Sequence, residues 1–247
     1  MNLLLLAIAP GIAISLYIYF KDRYNKEPPK YLLVCFLLGV VSAAAAALIE
    51  IAASSLFDDS IDSQLPAFLS LIVQAFVVVA FTEEICKYVV LKKYAYPKPA
   101  FDEPFDGIVY GVMVGMGFAT IENIAYVFEH GFATGVIRMF LSVPAHGAFA
   151  ILMGYYTGLA KFNKERSGSL LAKGLLLAIL FHGLFDGFLF LAENETVTAY
   201  VSGALLVIGG LASYITALRL SLKAIKMHTT LSEKMHNGKT DLSIDHH

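Results

Sequence analysis

The chain has 247 residues, is 57% hydrophobic and only 15% charged, and has a mean hydropathy of +0.68. Its repeated apolar runs of about 20 residues, the length that crosses a hydrocarbon core, exclude an ordinary soluble domain and define a polytopic membrane protein. Cys35 and Cys86 both lie in apolar runs, which leaves no disulfide framework and no cysteine pair at metal-ligand spacing; the formal net charge of −2 points to no nucleic-acid partner, because the positions of the charges carry the information.

Hydropathy predicts an all-α bundle of seven transmembrane helices over about 2–20, 31–55, 67–91, 107–128, 136–160, 170–191 and 197–219. The first run has no basic region before it and no small-residue cleavage site before Lys21, so it is expected to be a retained helix rather than a removed signal peptide. Basic residues alternate between the connections. Four follow the first span (Lys21, Arg23, Lys26, Lys30), none lie in 56–66, and four surround the end of the third (Lys87, Lys92, Lys93, Lys98). Arg138 stands alone after the fourth span, four follow the fifth (Lys161, Lys164, Arg166, Lys173), none lie in 192–196, and five mark the tail (Arg219, Lys223, Lys226, Lys234, Lys239). The positive-inside rule then places the N-terminus outside and the C-terminus in the cytoplasm of a cell-membrane protein. Residues 1–224 are expected to form the membrane-embedded domain, and 225–247 a flexible cytoplasmic tail with solvated histidines.

Between the third and fourth spans Pro97 and Pro99 break helix, and Asp106 is the expected N-cap of the fourth, a structural role. Pro144, inside the fifth span, predicts a kink two residues before His146. Small residues at four-residue spacing (Gly111 and Gly115, Gly154 and Gly158, Gly183 and Gly187) predict faces where helices approach closely.

The third span carries Phe81-Thr-Glu83-Glu84-Ile-Cys-Lys87. At a bilayer centre each acid costs roughly 2.5–3.5 kcal/mol, so adjacent acids imply a protected polar interior. Glu122 with Asn123, His146, His182 and Asp186 add ionisable groups inside later spans. Glu83 and Lys87 share a helix face, the lysine being free to snorkel towards the interface. His182 and Asp186 share another, where the carboxylate can fix the ring tautomer or join it as a ligand. Phe118 lies one turn from Glu122 as a cavity wall. On straight helices Glu83 and His182 come about 13 Å from the inner interface and Asp186, His146 and Glu122 roughly 20–24 Å, so a shared site requires tilted helices.

Glu83-Glu84-x-x-Lys87, Phe118-x-x-x-Glu122-Asn123, His146 and His182-x-x-x-Asp186, in that order on four successive polar spans, resemble the motifs of the PrsW family of intramembrane proteases. The stretches Phe105-Asp-Gly-Ile-Val-Tyr-Gly and Gly117-Phe-Ala-Thr-Ile-Glu-Asn123 are especially similar to that family, and the resemblance covers roughly residues 20–190. Type II CAAX prenyl endopeptidases are more distantly similar; they show EExxxR, FxxxH and HxxxN/D, whereas here Lys87 stands one residue closer and Glu122 replaces the histidine, which argues against prenylated substrates. The family resemblance implies site-1 cleavage of a single-pass membrane anti-sigma factor, starting the release of a sigma factor under envelope stress.

The residues themselves support hydrolysis of a peptide bond by water in a shielded cavity. Glu83 or Glu84 would be the general base. His146 and His182 would bind a divalent metal such as zinc together with Glu122 or Asp186, or would stabilise the oxyanion in a metal-free glutamic mechanism. The catalytic set is therefore Glu83, Glu84, His182, His146 and Glu122, and the metal set His146, His182, Glu122 and Asp186. The bland alternatives are a structural ion cluster, packed histidines and an interhelical brace. A proton- or ion-coupled transporter would use similar relays, but the chain shows no two similar halves; a non-catalytic scaffold of the same fold is the other rival. The predicted outward loops 56–66 and 192–196 are short, so substrate choice is expected to rest with the helices, the loops or another protein.

Overall fold

A computed structural model describes residues 3–60 and 65–237. Among these, seven long helices succeed one another: α1 (Leu3–Lys21), α2 (Pro29–Ser60), α3 (Ala67–Ala95), α4 (Pro104–Phe140), α5 (Ser142–Phe162), α6 (Ser167–Glu193) and α7 (Gly203–His236). A single turn, Glu195–Thr198, precedes α7. Six helical segments are long and apolar enough to cross a membrane; one of them, Pro104–Phe162, contains both α4 and α5. Those two pack antiparallel along a glycine seam. Gly107 lies against Gly154 and Gly158, Gly111 against Ala150 and Gly154, and Gly115 against Ala150, each so closely that an added Cβ would press on the facing helix.

The first half of α4, residues 104–120, is buried throughout, as suits a helix apolar on every side. It sits at the centre, against α1, α2 and α5. α5 also packs on α6, α6 on α3, and α3 on α2, so α2, α3, α6, α5 and α4 form a closed ring. The polar residues of the sequence project into that ring. α7 covers α5 and α6 from outside it.

Several expectations shift. The predicted loop 129–135 is instead helix on both sides of a sharp break at Gly131 (φ 84°), and α5 starts straight after Leu141. Pro144 consequently falls in the first turn of α5, where its missing N–H removes no helix bond, so the expected kink before His146 does not form. The cap of α4 is Glu103, with Pro104 next to it; Asp106 is the reciprocal partner of a capping box and accepts the backbone N–H of Glu103 at 2.7 Å. Residues 225–236, expected as flexible tail, continue α7, with Ile225, His228 and Ser232 buried and His228 stacked on Tyr155. The last part of that tail lies outside the described residues.

Candidate active site

α3 is not a uniform helix. Gln74–Phe81 and Leu91–Ala95 are π-helical and flank the α-helical turns of Thr82–Val90 that carry the acid pair. Each widened turn rotates the next residues away from their α-helical direction, and such turns recur where a helix must aim polar groups. Here Glu83, Glu84 and Lys87 all turn inward and are buried. Lys87 does not snorkel. Its Nζ lies 3.0 Å from Glu83 Oε2, 2.8 Å from Glu84 Oε1 and 3.1 Å from His146 Nδ1, and stands over the Phe118 ring at 3.9 Å.

The two histidines arrive from α5 and α6 with the same plan. His146 Nε2 meets Glu122 Oε2 at 2.8 Å and His182 Nε2 meets Asp186 Oδ2 at 3.0 Å. Their Nδ1 atoms face inward, that of His146 to Lys87 and that of His182 to Glu84 Oε1 at 2.9 Å. The rings lie 5.1 Å apart, nearly perpendicular, and Phe149 stacks on His182 at 5.1 Å. Phe118, expected as a wall, lies 5.9 Å from His146.

All six acidic and histidine residues singled out in the sequence thus meet in one place, although straight helices would have separated them by depth. Above them is a cavity of about 550 Å³, whose polar lining includes Glu83, Glu122, His146, His182 and Asp186. Glu84 is fully buried and lies behind that lining. Five further residues at the cavity carry a charge or a hydroxyl that motif spacing does not single out: Glu50 from α2, Tyr126 from α4, Arg138 from the returning end of α4, Ser142 from the start of α5 and Glu193 from the end of α6. Glu50 had a signal, an acid inside an apolar run. Arg138 had only its isolation.

A cavity lined by converging carboxylates and imidazoles, inside a bundle of membrane-length helices, has the chemistry of a membrane hydrolase. The comparisons with known proteins identify the bond it breaks. Residues 27–215 match the family model described as PrsW family intramembrane metalloprotease. The chain is 36% identical over 195 residues to Protease PrsW of Geobacillus kaustophilus, covering 78% of this chain and 82% of the relative. It is 37% identical over 190 residues to Protease PrsW of Bacillus subtilis, covering 76% and 82%. With Protease PrsW of Clostridioides difficile it shares 36% over 194 residues, covering 75% and 78%. No solved structure matches significantly. The chain belongs to the PrsW family of intramembrane proteases. It is a multi-pass membrane peptidase.

Proposed function

We propose that the protein cuts a membrane-anchored regulatory protein, a single-pass anti-sigma factor, with Glu83 as the general base. The observation that carries the assignment is that Glu83 lines the cavity while Glu84 does not. Glu83 takes a proton from water entering the cavity and returns it to the leaving amine. Glu84 holds Lys87 and His182 in place. His182 is held between Glu84 Oε1 and Asp186 Oδ2, which fixes its ring at the edge of the cavity. The choice of substrate rests on the resemblance to the PrsW family alone.

The family description implies a metal, and the residues fit one. Glu83, Glu84, His146 and His182 each offer a donor atom, and these atoms lie within 4.8 Å of one another. Mixed imidazole and carboxylate donors suit zinc. Of these, Glu84, His146 and His182 would hold the ion and leave Glu83 as the base, with Glu122 and Asp186 behind the rings as the carboxylates that orient them. Bound there, a divalent ion would supply Lewis acidity to the scissile carbonyl and acidify water. The charges agree: among the described residues, the carboxylates of Glu83, Glu84, Glu122 and Asp186 face two permanent cations, Lys87 and Arg138, and two histidines, leaving negative charge for an ion or for protons on the rings to offset.

The test is reconstitution with tagged single-pass substrates in liposomes. Glu83→Gln is expected to lower the cleavage rate by about 10²–10⁴-fold, the usual range for a general base, with the melting temperature unchanged. Glu84→Gln should lower both. Cleavage by Glu83→Gln at the wild-type rate would remove Glu83 from the role, and failure of wild type to cut an anti-sigma factor while cutting other single-pass proteins would remove the substrate.

A further inference from the structure

Arg138 and Glu122 are sixteen residues apart on α4, so on a continuous helix their Cα atoms would stand about 24 Å apart along the axis. They are in contact. Gly131 turns the chain with a φ of 84°, a conformation that residues with a side chain rarely adopt, and the helix beyond it doubles back along the one before. Gly135, buried on that returning arm, lets it lie against Val127 and against Leu6 of α1.

The result is a fixed grip on Glu122. Arg138 Nη2 lies 2.9 Å from Glu122 Oε1, its Nε donates to Asn123 Oδ1 at 3.1 Å, and the guanidinium stands 3.9 Å from the Tyr126 ring centre. Asn123 is itself held, its amide donating to the Ala7 carbonyl of α1 at 2.9 Å. With one oxygen held by a group that is always charged, the other oxygen of Glu122 faces His146 Nε2. A carboxylate accepts, so Nε2 carries the hydrogen. An ammonium only donates, so His146 Nδ1, facing Lys87, carries the lone pair. One tautomer suits both of these close approaches.

We propose that Arg138 is a positioning residue for catalysis: through Glu122 it sets the tautomer and orientation of His146, so that the Nδ1 lone pair faces Lys87. The role rests on the proteolytic reading of this cavity. A lone pair at that atom, rather than a hydrogen, is what either a bound ion or a proton-accepting ring requires once Lys87 withdraws. The returning arm brings a permanent cation into contact with the carboxylate of Glu122.

The experiment is nitrogen-15 NMR of histidine-labelled protein in detergent, the His146 signals assigned by their loss in His146→Gln, alongside cleavage kinetics. Wild type should show a protonated Nε2 and an unprotonated Nδ1 on His146. Arg138→Gln should shift that pattern towards a tautomer mixture and lower kcat about 10–100-fold with KM unchanged, the usual cost of losing an outer partner of a functional histidine. Arg138→Lys, which keeps the charge and loses the fork, should recover part of both. Gly131→Ala, which strains the turn without touching the site, should reproduce the Arg138→Gln pattern in protein that still melts cooperatively. An unchanged His146 tautomer in Arg138→Gln, or a loss confined to KM, overturns the proposal. The NMR signals report on Arg138 even if no substrate is cut, so failure of the positioning role and failure of the proteolytic reading are separate results.

Discussion

Lys87 is the residue on which the charge balance of the site turns. It is 3% exposed, and its ammonium lies among donors that a metal ion would also need. A metal ion and the ammonium therefore compete for the same carboxylates, and the ion can enter only if Lys87 withdraws. Breaking a buried ion pair by removing one partner costs about 3–5 kcal/mol, because the other charges stay behind uncompensated. Lys87→Met, which keeps an unbranched side chain one atom shorter and removes the charge, should melt well below wild type when metal-free, and added zinc should raise its melting temperature more than that of wild type. Thermal melts with and without zinc in one detergent decide it: equal melting of both proteins, unmoved by zinc, would mean that Lys87 compensates nothing. The sequence made the Glu83–Lys87 pairing readable, since i,i+4 spacing alone brings them together. The contacts of Lys87 with Glu84 and His146 were not readable, because they depend on the π-helical turns of α3 and on where α5 begins.

At the scale of elements, the strap between α1 and α2 ties the basic end of the bundle together. Asp22 and Glu27 are buried on it, Tyr110 of α4 donates to Glu27, and Asn25 donates to Asp102 at 2.8 Å. Burial raises the pKa of Asp22 to about 6 and those of Glu27 and Glu103 to about 7, with Asp102 adding repulsion and Lys26 opposing it at Asp22. The sign comes from linkage. Folded groups that hold their protons more tightly than unfolded ones stabilise this end at low pH, and that contribution is lost as pH rises from the ordinary carboxyl range through about 6–7. Hydrogen exchange, corrected for its intrinsic pH dependence, should show the 22–28 strap better protected at about pH 5.5 than at 7.5; equal protection, or more at the higher pH, would contradict it. Hydropathy located all seven long helices because each buries an apolar surface over a span-length run. It missed the end of α7, whose buried stripe of Ser221, Ala224, Ile225, His228 and Ser232 is small and polar. It misjudged Pro144 because a proline's effect depends on its position from the helix start, and that start depends on the turn at Gly131.

The whole molecule has a direction. The cavity is lined by Glu50, Arg138 and Glu193, the last of these the final residue of α6, so it reaches the end of the bundle opposite the lysine-rich one. The convergence of Glu83, Glu122, His146, His182 and Asp186 was legible as a set of motifs in order, yet not as a place, because straight-helix depths scatter them and only the ring of α2 to α6 gathers them. That ring, with the basic residues collected at one end, turns charge asymmetry into a statement about where substrate is cut. If lysine-rich connections stay in the cytoplasm, the cavity opens outward and cleavage falls on the outer side of the substrate's membrane segment. Single cysteines introduced in a background lacking Cys35 and Cys86 test this. Glu165→Cys lies in an exposed connection at the basic end, and Tyr200→Cys, where the native side chain is 89% exposed, lies at the other. A membrane-impermeant maleimide should label Tyr200→Cys in intact cells and Glu165→Cys only after permeabilisation. The reverse pattern would turn the cavity mouth to the cytoplasm, and an outward first cut would then have no route to Glu83.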